Sequence, residues 1–178
     1  MRVEFWKRAD GGSLAIIDRG DGVRLQLRSY DRVGAVPHDA VHLIGERALG
    51  LEQGLWGSIA AGALFDSIEV VEGRLRHDRR QRSEEVRRQN AEHLRTAETV
   101  VGVLQSCIDC DGLTTKKRLD EAWGITSTGS SPFSPEQAGG AVDELRTLRA
   151  AWKVLVPGER GPVFAWPVAT RAGRGRRR

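Results

Sequence analysis

The sequence predicts an α+β fold: a small antiparallel sheet, made of three N-terminal strands and a C-terminal strand, covered by several helices. Three observations carry this. Residues 2–28 alternate apolar and polar with period two, interrupted twice by Asp-Gly turn chemistry. From residue 37 onward apolar residues recur every three or four positions instead. The last apolar run, Pro162-Val-Phe-Ala-Trp166, follows the turn Pro157-Gly-Glu-Arg-Gly161 and is strand-like again.

Each element follows from its own residues. Val3 and Phe5 alternate with Arg2, Glu4 and Trp6 in the first strand. Leu14-Ala15-Ile16-Ile17 supplies the second, after Asp10-Gly11. Val23, Leu25 and Leu27 oppose Arg24, Gln26 and Arg28 in the third, after Asp21-Gly22. Such alternation fits a sheet with one wet face and one face under helices. Pro37 opens a helix at its first turn, Asp39 suits the positive end of the dipole, and Val41, Ile44, Ala48 and Leu49 face inward up to Gly50. Residues 51–65 (LEQGLWGSIAAGALF) give a second short helix.

Residues 74–95 are rich in arginine, and a stripe of Leu94, Ala97, Val101, Leu104 and Ile108 follows. These predict one long helix, solvated at its start and buried at its end. The arginine-rich half is read as a solvated face, held by pairs such as Arg82 with Glu85. A short helix is expected at 115–123, begun by Thr114 and Thr115. Ser134-Pro135 begins a longer one bearing Ala138, Ala141, Leu145, Leu148 and Trp152. The closing strand is expected to join the N-terminal meander. The organisation is therefore an N-terminal part (1–72), a helical part with the closing strand (73–170) and a disordered basic tail (171–178).

Composition narrows the class. The 178 residues carry a net charge of +4, but the tail from Arg171 holds five arginines, so the body stands near −1. The basic balance is thus a property of the tail, and the nucleic-acid argument weakens. No run of about 18 apolar residues exists to span a membrane, and the charged, alternating start does not read as a secretory signal. A cytoplasmic protein with two free thiols is expected. Phosphate loops of the G-x-x-x-x-G-K-[ST] type, G-x-G-x-x-G turns and G-x-S-x-G elbows are absent.

Three patterns could carry chemistry. His38-Asp39-Ala40-Val41-His42 with Glu46 places two imidazoles and a carboxylate at i, i+4 and i+8, one helical face. Such a set can hold zinc or another divalent transition ion. The spacing echoes the HExxH metal helix, with Asp39, one methylene shorter, at the position of the base. Against this, His38 and Asp39 suit a helix start on capping grounds alone. Cys107-Ile-Asp-Cys110 is a CxxC at a helix C-terminus beside Asp109 and Asp111, an unfavourable place for a thiolate. As half of a zinc site it would need two more ligands, and His77 and His93 are the only histidines not already used. Residues 94–168 have the element order of a winged helix-turn-helix, with Lys116, Lys117, Arg118 and the tail as phosphate contacts. The exposed start of its third helix, Pro135-Glu136-Gln137, offers little to a base edge.

The opening MRVEFW, the PHDAVH and GLWGSIAAGALF segments and the terminal Trp166-Pro167 together resemble uncharacterised actinobacterial proteins with PHDxxH and GxWG segments. The resemblance implies a cytoplasmic bacterial protein and no particular activity. The leading expectation is a non-enzymatic binding or regulatory protein without a cofactor. Self-association, or a protein partner, would use residues 51–65 or the long helix. The alternatives are a metal-dependent enzyme on His38, His42 and Glu46, and a nucleic-acid binder on residues 94–168.

Overall fold

The computed structural model describes residues 1–29, 34–75, 77–126 and 129–167. The basic tail therefore lies outside the described residues. The fold is α+β, as expected, with strands β1 (Arg2–Lys7), β2 (Ser13–Asp18), β3 (Arg24–Arg28), β4 (Ile68–Glu72) and β5 (Arg160–Ala165). The helices are α1 (His38–Leu49), α2 (Leu55–Ala61), α3 (Arg79–Gln89), α4 (Ala91–Ser106), α5 (Gly112–Thr126) and α6 (Pro135–Val154).

The five strands form one antiparallel sheet in the order β4-β3-β2-β1-β5. The meander holds the expected register, Val3 opposite Ile17 and Ile17 opposite Leu25. Val3, Phe5, Ala15, Ile17, Leu25 and Leu27 are all buried on one face. They share a continuous core with residues of α1, α2, α4, α5 and α6. Phe5 meets Trp56 and Phe164 edge-on, at 6.1 and 5.9 Å between ring centres. β5 joins β1, so the two ends of the described chain lie side by side, and Met1 and Trp166 exchange main-chain hydrogen bonds. On the other face Glu4 is buried beneath Arg160, whose guanidinium donates to both carboxylate oxygens at 2.6 and 2.7 Å.

Four elements differ from the sequence expectation. The sheet has four strands before the helical part rather than three. β4 is an edge strand whose residues are mostly exposed, so it lacks the buried alternation that marks the others. The single long helix is two: α3 and α4 meet at Asn90, whose buried side-chain amide donates to Ser58 Oγ at 3.0 Å. That tether on α2 breaks the helix, leaving α3 against α2 and letting α4 cross α1. Pro37 sits just before α1 rather than within it, its carbonyl accepting from Ala40 and Val41. The start of α5 is fixed by Asp111, which accepts the Thr114 N–H at 2.7 Å and, through its carbonyl, the Thr115 hydroxyl. Elsewhere expectation and structure agree: Ser134 and Gln137 form a reciprocal cap on α6, and its five stripe residues are buried.

Residues 153–166 do not fold back as a separate wing, because β5 pairs with β1. No helix among the described residues is long and apolar enough to cross a membrane.

Candidate metal centre

The centre lies where α4 crosses α1. Gly45 permits the approach, since a Cβ there would stand 2.6 Å from Leu104 Cδ1. One turn before Gly45 on α1 is His42, and nearby on α4 is Glu98. The i, i+4 spacing places His38 beside His42, ring centres 4.9 Å apart and nearly perpendicular.

The two imidazoles are held alike. His42 Nδ1 lies 2.9 Å from Glu46 Oε1, and His38 Nδ1 lies 3.3 Å from Gln105 Oε1. Both partners are oxygen acceptors, so each Nδ1 carries the proton and donates it. Both Nε2 atoms are thereby turned to one atom, Glu98 Oε2, at 3.4 Å from His42 and 3.7 Å from His38. One donor atom from each of the three residues lies within 4.8 Å of the others. In a tetrahedral site with bonds of about 2.0–2.2 Å, ligand atoms stand about 3.3–3.6 Å apart. The two imidazole–carboxylate distances are near that separation, and both Nδ1 edges are anchored by side-chain oxygens, as they are in metal-binding histidines.

Glu46 is brought to His42 but not to the common point. Its carboxylate is wholly buried and takes main-chain N–H groups from Leu55 at 2.8 Å and Trp56 at 3.0 Å. These are orphan donors at the start of α2, which has no side-chain cap of its own. Gly54 leaves room for this carboxylate: a Cβ there would lie 2.4 Å from Glu46 Cδ. The third convergent group is the carboxylate of Glu98, which sequence reasoning missed. It is 52 residues beyond Glu46 on another helix. The only sequence signal was its place, with Gln105 seven residues on, along a face of the helix.

Electrostatics follow from the geometry. Burial opposes charge on His42, but hydrogen bonds to Glu46 and Glu98 outweigh it, and its pKa is pushed up to about 9. Glu98 also raises His38, against burial. The His38 and His42 imidazoles facing it hold Glu98 well below the carboxylate range. Asp39 sits at the shoulder of the site. Burial raises its carboxyl, while the charges of His42 and His38 work the other way, and its Oδ2 has no hydrogen-bond partner among the described residues. Its main-chain carbonyl accepts the Trp56 indole N–H at 2.9 Å. Without an ion the cluster is an imidazolium between two carboxylates. An ion held there would take the place of the Nε2 proton.

The other sequence candidates stand elsewhere. Cys107 is buried and Cys110 half-buried at the end of α4, both free. Among the described residues no metal-ligating group of three or more includes them. His77 and His93 are exposed. Lys116 pairs with Asp120 at 2.5 Å, and Arg118 donates to Cys107 Sγ at 3.5 Å. No family model, curated protein or solved structure matches the chain.

Proposed function

We propose that this protein binds one divalent transition-metal ion of the zinc class through His38 Nε2, His42 Nε2 and Glu98, with Glu46 and Gln105 as the groups that orient the two imidazoles. The observation that carries the reading is the shared orientation: both Nδ1 edges tied to side-chain oxygens, both Nε2 atoms facing one carboxylate oxygen. Three protein ligands leave one of four positions to water or a ligand, the pattern of reactive rather than sealed zinc sites. Exposure supports this, since the Glu98 side chain is 65% accessible and that of His38 34%, while that of His42 is 2%.

All the ligands come from one chain, so the site requires no partner. An ion there would polarise a bound carbonyl or lower the pKa of a bound water. Occupancy without turnover defines a metal-binding or metal-responsive protein. Hydrolysis of an activated ester by the loaded form, absent from the metal-free form, defines an enzyme. The two free thiols agree with a reducing cytoplasm.

The test is metal analysis of freshly purified protein together with a calorimetric zinc titration. One equivalent is expected, with His42→Ala at least about 100-fold weaker, as befits a lost ligand. Equal binding by wild type and His42→Ala overturns the reading.

A further inference from the structure

The turn after α4 gathers groups that the metal centre does not use. Cys110 donates its main-chain N–H to the Cys107 carbonyl at 2.8 Å. A turn closed in this way holds its first and fourth Cα atoms within about 7 Å, and disulfides span Cα separations of about 4.4–6.8 Å. The thiols are neighbours: burial, and then the Cys107 thiol beside it, push the Cys110 thiol up.

Three guanidinium groups brace this turn. Arg118 of α5 donates to Cys107 Sγ at 3.5 Å. Arg146 of α6 donates to the Cys110 carbonyl, and Arg149 holds Asp109 through two hydrogen bonds, at 2.9 and 2.6 Å. Asp109, which the sequence alone set against thiolate chemistry, therefore faces an arginine. Asp111 is engaged by the Thr114 N–H. Cys110 also lies just before the N-terminus of α5, so the pair straddles a helix end and a helix start.

We propose that Cys107 and Cys110 form a modification site for low-molecular-weight disulfides, which close an intramolecular Cys107–Cys110 bond by thiol–disulfide exchange. The half-buried Cys110 reacts first: its thiol, pushed up by its surroundings, gives its proton to solvent base, and the thiolate attacks the small disulfide, forms a mixed disulfide and expels one small thiolate. Cys107 Sγ then attacks Cys110 Sγ, and the second small thiolate leaves. Two protein thiols and one small disulfide become one protein disulfide and two small thiols, so electrons and protons balance. Arg118 places a permanent positive charge against the sulfur that performs the second attack, where negative charge must develop. Buried Cys107 cannot be the first to react.

The test uses the full chain, reduced and kept in chelator so that metal plays no part. It is incubated with oxidised glutathione, quenched, denatured, alkylated and weighed intact. The expected product is a monomer two hydrogens lighter, with neither thiol alkylated. Cys107→Ser should stop at the glutathione adduct on Cys110, and Cys110→Ser should stay largely unmodified. Arg118 is exposed, so Arg118→Gln should fold normally and close about tenfold more slowly, with Arg118→Lys partly restored. Persistence of both alkylatable thiols, a stable glutathione adduct on the wild type, or products linked only between chains overturns the proposal. An unchanged closing rate in Arg118→Gln overturns the part assigned to the guanidinium.

Discussion

Glu46 and Glu98 address the same histidine from opposite sides, and the contrast between their surroundings explains the site. Glu46 is fully buried, and its oxygens are shared among the His42 ring and two main-chain N–H groups. Glu98 is mostly exposed, and its contacts within the centre are the two imidazoles. The first carboxylate holds α1 to α2; the second faces solvent and is available to an ion. One residue type thus serves as an internal helix cap or as a ligand according to the donors its neighbourhood must satisfy.

The contrast breaks most visibly in stability. Glu46→Ala strands two amide donors and an imidazole in the interior and should cost about 3–5 kcal/mol, read by denaturant unfolding of the metal-free protein. Gly54→Ala drives a methyl against the same carboxylate and should cost about 1–3 kcal/mol. If Glu46→Ala unfolds within about 1 kcal/mol of wild type, the capping role assigned to Glu46 is wrong.

Metal affinity sharpens the comparison from the other side. Glu98→Gln should weaken zinc binding at least about 100-fold, while Gln105→Ala, which only frees the His38 ring, should weaken it about tenfold. The same Glu98→Gln change should leave metal-free stability within about 1 kcal/mol, because that carboxylate is largely solvated.

Protons provide a further handle. His42 is raised from an ordinary 6.5 to about 9, so its stabilising contribution is complete below pH 6.5 and disappears as pH rises through 9. The shift corresponds to about 3 kcal/mol as an upper bound. Glu98 is lowered, so its contribution is present above its ordinary 4.5 and is lost as pH falls below that. The metal-free protein should therefore be most stable between about pH 4.5 and 6.5. Zinc affinity should run the other way, rising with pH toward 9 with proton release, because metal and proton compete for His42 Nε2. A zinc affinity flat between pH 6 and 9 contradicts this competition.

Much of the fold was legible because it is local. The period-two pattern of residues 2–28, the Ser134-Pro135 start and the stripe from Ala138 to Trp152 each mark their element within a few residues. What was not legible depends on distant partners. β4 exists because β3 offers an edge, with Arg24 reaching Glu72 at 2.7 Å. The break at Asn90 depends on Ser58, far back in the chain. In the same way His38 and His42 were visible as a spacing on one helix, whereas Glu98 joins them only because Gly45 lets α4 cross at that height. Glu46 had the right spacing for the site, but the N-terminus of α2, nine residues on, binds its carboxylate.

Cobalt(II) absorption spectroscopy on the purified chain tests the central claim most directly. One equivalent of cobalt should produce intense four-coordinate bands, displaced by one equivalent of zinc and absent from the His38→Ala/His42→Ala double variant. A spectrum indistinguishable from hydrated cobalt, or bands that persist in the double variant, would mean that the convergence of the two imidazoles on Glu98 is an ion-pair cluster and no more.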